Sequence, residues 1–157
     1  MRTTLVLLKP DAIARGLVGA ILARFEAAGL RVEGCRSLCP EQALMAAHYA
    51  DLKVRNERAF TLTIQSLANR PFIAVRLAGI DAVQKARALV GATDPLAAAP
   101  GTIRGDFGND SLAQAAADDR AVNNLVHAAD SEAAVARETA LWFGEAVTAS
   151  AVGGRAL

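Results

Sequence analysis

Four short apolar runs, separated by segments of helical periodicity, narrow most the folds open to this chain. Thr3 to Leu8 is a buried-strand run stopped by Pro10, and Leu30 to Leu38 begins as an alternation at Leu30 and Val32. Phe72 to Leu77 lies between Pro71 and Gly79, and Asn124 to His127 is short enough only for a strand. Between the first two runs, Gly16 to Ala28 reads as a helix with Leu17, Ile21, Leu22 and Phe25 on one face and Gly29 as its stop. Pro40 opens a helical stretch from Glu41 to Tyr49, and a second helix covers Glu57 to Leu67. Asp81 is placed to cap a helix from Ala82 to Val90, and Asp130 or Ser131 to cap a last helix reaching about Phe143. The order is βαββαβ with extra helices. It implies an α/β (α+β) fold, a four-stranded antiparallel sheet with helices packed on one face, the ferredoxin-like arrangement.

A chain of 157 residues suits one domain, and neither an internal repeat nor a linker divides it. The expected domain spans 1–143, followed by a tail, 144–157, read as weakly ordered or as an oligomer contact. The net charge of +1 supplies no bulk field for nucleic acid or an anionic membrane, so an anion must be held by a local site. The apolar run at Thr4 to Leu8 is too short for a secretory signal, and Arg24 ends the longest candidate span, Leu17 to Ala23. Cys35 and Cys39 are the only thiols, and with no further ligand cluster they suit a reducing cytoplasm better than a disulfide or a metal.

Two charged residues sit where periodicity does not want them. Arg87 joins Val83, Ala86 and Val90 on or beside the inward stripe of its helix, as an arginine snorkelling at the edge or one held inward to grip an anion. Glu138 shares an apolar helical face with Val135, Leu141 and Trp142, and a carboxylate there needs a partner. His127 precedes that helix by a few residues, so Glu138 can fold back onto it; a carboxylate-oriented imidazole is a recurring activation device. The other histidine, His48, reads as structural. Ala92 to Gly108 reads as a long ordered loop, and Leu112 to Ala121 as a short helix or a mobile insertion.

Taken together, several strings resemble the nucleoside diphosphate kinase family. They are Lys9-Pro10-Asp11-Ala12 with Arg15-Gly16-Leu17, His48-Tyr49, Val90-Gly91-Ala92-Thr93-Asp94-Pro95, Pro100-Gly101-Thr102-Ile103-Arg104-Gly105-Asp106-Phe107, and Asn124-x-x-His127 with Asp130-Ser131. They keep the family's order over roughly residues 3 to 143. The resemblance implies ping-pong transfer of the γ-phosphate from ATP to nucleoside diphosphates, with His127 as nucleophile and Glu138 orienting it. It also implies that Lys9, Tyr49, Arg87, Thr93 and Arg104 hold phosphates or stand near the transferred one. Asn124 and Lys9 would contact ribose hydroxyls, and Phe60 lies at or next to the position where an aromatic ring stacks on the base. Mg²⁺ would be held mainly by the nucleotide phosphates, with no metal cage of protein ligands. A homo-oligomer follows too, a hexamer favoured over a tetramer or dimer. Three fixed cations, Lys9, Arg87 and Arg104, suit phosphoryl transfer without a glycine-rich cradle, and no Walker A or Gly-x-Gly-x-x-Gly string is present.

The chain departs from the family pattern in four places. Between Gly108 and Asn124 it is longer by roughly eight or nine residues, an insertion near 109–121 that a surface loop tolerates. Ala128-Ala129 stands where most members have Gly-Ser, which removes a hydroxyl that helps hold the carboxylate. Asn123 replaces an arginine, and the stretch Val54 to Thr63 is altered. The alternative to an active kinase is therefore a member that binds nucleotides with weak or no transfer. A ferredoxin-like nucleic-acid binder is disfavoured by the near-neutral charge and sparse aromatics.

Overall fold

The computed structural model describes residues 2–144. β1 (Arg2–Leu8) leads through a one-turn helix α1 (Pro10–Ala14) into α2 (Val18–Ala27) and β2 (Arg31–Leu38). Three helices follow, α3 (Gln42–His48), α4 (Ala50–Arg55) and α5 (Glu57–Leu67), before β3 (Phe72–Gly79) and α6 (Ala82–Val90). A 3₁₀ turn at Pro95–Ala97, α7 (Ile103–Phe107) and α8 (Leu112–Ala117) lead to β4 (Val126–Ala128) and α9 (Glu132–Phe143). The tail expected to be weakly ordered lies, apart from Gly144, outside the described residues.

The four strands form one sheet in the order β2-β3-β1-β4, with every pairing antiparallel. This is the ferredoxin-like order, with one correction: helices cover both faces. Val6 and Leu8 point into a cluster with Ile21 and Phe25 of α2 and Ala82, Ala86 and Val90 of α6. Leu5 and Leu7 point the other way, into a cluster with Met45 of α3, Leu67 of α5 and Trp142 of α9. The physical reason is in β1 itself, where both alternating sets are apolar and Leu5 to Leu8 are fully buried. A strand of that kind needs cover on both sides. Each such side chain contributes about 1.5–3 kcal/mol by leaving water.

Local chemistry explains the helix starts. Ser131 caps α9 by accepting from the Ala134 amide at 3.1 Å, and Asn56 caps α5 by accepting from the Ala59 amide at 3.0 Å. Asp81 takes the cap position of α6 with a left-handed backbone and no side-chain cap bond. Pro10 ends β1 as expected and also begins α1, because proline at the first helical position forfeits no needed amide.

The register decides where the candidate nucleophile faces. His127 pairs with Leu7, whereas Val126 and Ala128 pair with Leu8 and Val6. Opposed residues share a face, so the imidazole projects on the side covered by α3 and α9. No helix among the described residues is long and apolar enough to cross a membrane.

Candidate active site

His127 stands on a three-residue edge strand and is held from three directions. Its backbone is set by the chain just before it. Leu125 is fully buried with φ +71°, a conformation rare for a branched side chain. The Val126 amide donates back to the Asn124 carbonyl at 2.8 Å, which closes a three-residue turn around Leu125. The Leu125 amide donates to Asp11 Oδ2 at 3.0 Å. Strain here is fixed by a carboxylate from α1, so the Lys9-Pro10-Asp11 string supports the nucleophile's strand as well as lining the site.

The second hold is Glu138, one turn before Trp142 on α9. Its Oε2 lies 2.8 Å from His127 Nε2, and the carboxylate is 4% exposed. A buried carboxylate facing an imidazole nitrogen takes the N–H of that nitrogen, which leaves the lone pair on Nδ1. The hydroxyl lost at Ala129 is not required for this geometry. The Arg137 guanidinium lies 3.8 Å from Glu138 Oε1 and donates to the His48 carbonyl at 3.4 Å.

The third hold is His48, whose ring packs edge-on against His127 with centroids 4.6 Å apart. His48 Nδ1 accepts from Trp142 Nε1 at 3.1 Å in a buried contact. Burial, then the neighbouring His127 and Arg137, keeps His48 far below the usual imidazole range, so it stays neutral. The structural reading of His48 is right as far as it goes, but the residue it props is the candidate nucleophile.

The cations come from separate elements. Arg104 on α7 is 9% exposed and donates to three backbone carbonyls, Asn124 at 3.1 Å, Gly91 at 3.1 Å and Val126 at 2.6 Å. Burial, reinforced by the like charge of Arg87, lowers its pKa to about 10. Gly91 presents its carbonyl at φ +86°, and a Cβ there would lie 2.6 Å from Thr102 Oγ1. The Arg87 side chain is exposed on the cleft wall and makes no hydrogen bond or ion pair with another described residue. It sits beside the inward stripe of α6, free to meet an anion. Lys9 is 5% exposed, and its Nζ donates to Asn124 Oδ1 at 2.7 Å and Val122 O at 3.0 Å. Burial brings its pKa down to about 8. Asn124 in turn donates from Nδ2 to the Thr93 carbonyl at 3.0 Å. Tyr49 caps α3, and burial with the nearby Glu138 charge raises its pKa well above the usual phenol value, so the hydroxyl keeps its proton.

One cleft of about 640 Å³ joins these groups: Lys9, Tyr49, Arg87, Thr93, Arg104, Asn124, His127 and Glu138 all line it. Eight of the nine expected site residues are therefore brought together. The ninth, Phe60, is not in the wall. Its neighbours Ala59, Leu62 and Thr63 are, while the Phe60 ring is half-buried with the Lys53 ammonium 5.6 Å from its centroid. Phe60 thus stands next to the wall, beside Ala59, without lining it. Sequence reasoning missed Arg55, Arg120 and Arg137, three further cations of the wall. Arg55 follows Leu52 by three residues, and a helix running on from Tyr49 gives that signal.

The donor chemistry does not make a resident metal cage. His48, His127 and Glu138 bring ligand atoms within 4.8 Å of one another, but Trp142 and the His127–Glu138 hydrogen bond already occupy donors of this trio. What the cleft offers is a fixed imidazole facing a cationic wall, the arrangement that suits an incoming phosphate.

Comparison with known proteins agrees. The family model described as nucleoside diphosphate kinase matches residues 2–147. A curated nucleoside diphosphate kinase of Desulfitobacterium hafniense is 42% identical over 143 residues, which cover 91% of this chain and 88% of that one. One of Pyrococcus horikoshii is 41% identical over 140 residues, 89% of this chain and 83% of the relative. Among solved structures, a transition-state mimic of the Borrelia burgdorferi nucleoside-diphosphate kinase with bound vanadate and ADP superposes with a TM-score of 0.87 at 33% identity, covering 96% and 92% of the two chains. The Halobacterium salinarum enzyme in complex with CDP gives 0.79 at 37% identity, covering 92% and 88%. On the matched length, the identity and the shared fold, this chain belongs to the nucleoside diphosphate kinase family.

Proposed function

We propose that this family member moves the γ-phosphate of ATP to other nucleoside diphosphates through a phosphohistidine at His127 Nδ1. The observation that carries the reading is the 2.8 Å contact between His127 Nε2 and Glu138 Oε2, which reserves Nδ1 as the nucleophilic nitrogen. In the first half-reaction the Nδ1 lone pair attacks the γ-phosphorus, the bond to the β,γ-bridging oxygen breaks, and the diphosphate leaves. In the second, a terminal oxygen of another nucleoside diphosphate attacks that phosphorus, and the P–N bond returns its electron pair to Nδ1. Arg87 and Arg104 stabilise charge on the phosphate oxygens, and the protonated Tyr49 phenol donates near the transferred group. Lys9 and Asn124 orient the ribose end, and the Thr93 side of the wall steadies the phosphates. Phe60 packs beside the base end rather than in its wall.

Mg²⁺ is the proposed cofactor, held mainly by the phosphates of the nucleotide, and it supplies charge neutralisation across them. The cationic side chains of the wall, Lys9, Arg87 and Arg104 among them, suit the phosphates that would carry the ion. We further assign the chain to a homo-oligomer, with a hexamer favoured. The support is Leu96, 82% exposed beside Pro95 in the loop that resembles a trimer-contact segment, and light scattering tests it. Cys35 and Cys39, exposed and unpaired, suit the cytoplasm. The central test is labelling with γ-³²P ATP. Acid-labile, base-stable label that vanishes in His127→Ala supports the mechanism, and an unlabelled parent protein refutes it.

A further inference from the structure

The turn before His127 is clamped by one short string. The Lys9 amide donates to the Leu125 carbonyl at 2.9 Å, and the Leu125 amide donates to Asp11 Oδ2 at 3.0 Å. Both backbone groups of Leu125 are thus taken by Lys9-Pro10-Asp11, where β1 passes into α1. Pro10 stiffens the pair from between, because its ring locks φ. Arg104 takes the two flanking carbonyls, Asn124 at 3.1 Å and Val126 at 2.6 Å. Leu125 is fully buried at φ +71°, a costly conformation that persists only while its surroundings hold it. Asp11 is half-buried and does not line the cleft, so it acts on the reaction only through what it holds.

We propose that Asp11 is a positioning residue for phosphoryl transfer: its carboxylate oxygen keeps Leu125 in the left-handed turn that fixes where His127 stands against the phosphate. This rests on the reading that His127 takes the phosphate. His127 lies two residues beyond the turn on a strand of only three residues, so a relaxed turn displaces the nucleophile more than the cationic wall. A displacement of about 1 Å costs about a hundredfold in rate, while the nucleotide keeps its other contacts. The competing reading is purely electrostatic. Burial opposes, and Asp11 favours, the positive charge on Lys9 and on Arg104. Three substitutions separate the two. Asparagine keeps an acceptor at the same reach without the charge, glutamate keeps the charge but carries the acceptor one methylene too far, and alanine has neither.

The test is single-turnover phosphorylation by γ-³²P ATP, with calorimetric binding of ADP, at about pH 7 on the full chain and on Asp11→Asn, Asp11→Glu and Asp11→Ala. The expected rate is about a hundredfold lower in the Glu and Ala variants and within about threefold of the parent in Asp11→Asn, with ADP affinity within about threefold throughout. Asp11→Asn slowed a hundredfold with Asp11→Glu spared overturns the proposal in favour of the charge. A parental rate in Asp11→Ala, or a loss in affinity in place of rate, overturns it as well. The Asn and Glu variants decide the matter even where Asp11→Ala does not fold. Hydrogen exchange of the Leu125 amide, read by NMR without ATP, should quicken in the Glu variant and stay parental in the Asn variant. A parent protein that takes no label refutes the phosphohistidine mechanism, whereas unchanged exchange in Asp11→Glu refutes the clamp.

Discussion

Replacing Glu138 by Gln isolates the charge from the geometry. Glutamine keeps the volume, and its carbonyl can still accept the Nε2–H of His127, so the ring stays in place. What goes is the negative charge beside an imidazole that becomes cationic as Nδ1 bonds phosphorus. Opposite unit charges about 4 Å apart are worth about 4 kcal/mol at an effective dielectric of 20. A transition state carrying about half the imidazolium charge captures about 2 kcal/mol of this, which corresponds to about a thirtyfold rate. The carboxylate is nearly buried, so solvent screens little of that interaction. The assay is single-turnover phosphorylation of the enzyme by ATP in a quench-flow instrument, alongside calorimetric binding of ADP. The expectation is a rate about thirtyfold lower with ADP affinity within about twofold. Slowing of less than about threefold, or a loss that appears in affinity instead of rate, refutes the assignment of Glu138 as the group that stabilises the charged ring.

The two arginines should separate function from stability. Arg87→Gln should lower kcat/KM by about 100-fold with an unchanged Tm, because its side chain has no partner among the described residues; kinetics beside a thermal melt reads both. Arg104→Gln should lower Tm by several degrees as well as activity, since it strands carbonyls of Asn124, Gly91 and Val126. Nucleotide affinity should weaken as pH rises through about 8, where Lys9 loses its charge, and this step should vanish in Lys9→Gln. The stability sign is opposite: the folded state binds Lys9's proton less tightly than the unfolded chain, so this group favours folding increasingly from about pH 8 up to its ordinary value of 10.5, which denaturant titrations of Lys9→Gln against the parent resolve. Gly105→Ala would bring a Cβ to 2.0 Å from the Ala99 carbonyl oxygen, and a melt should show about 1–3 kcal/mol of destabilisation together with reduced activity through the adjacent Arg104.

How much of this could be read from the residues depends on how local the cause is. The strands and the long helices follow from periodicity and punctuation, and the His127–Glu138 pair follows from a carboxylate on an apolar helical face. Helix α1 was hidden because a proline that stops a strand can equally start a helix. Helices α4 and α7 are single turns inside stretches whose composition reads as loop or as the tail of another helix. The second covering layer was hidden in plain view, since Leu5 to Leu8 is apolar on both faces. Phe60 lies next to the wall residues Ala59 and Leu62 without lining the cleft, because which face of α5 turns inward depends on packing that the stretch before it does not mark. The seating of the α8 segment against α5 depends on ties, Arg58–Asp119 and Ala121–Ser66, that lie more than fifty residues apart in sequence.

Trp142 has a use beyond holding His48. It is the chain's sole tryptophan. Its indole is fully buried, hydrogen-bonded to His48, and one ring removed from the nucleophile. A change of charge on His127 therefore reaches the chromophore through a single intervening ring. The protein carries its own optical reporter, whose emission should step when His127 takes up phosphate and step back when a diphosphate removes it, and the step should disappear in His48→Ala. Each half-reaction could then be followed in real time without label or coupled enzyme.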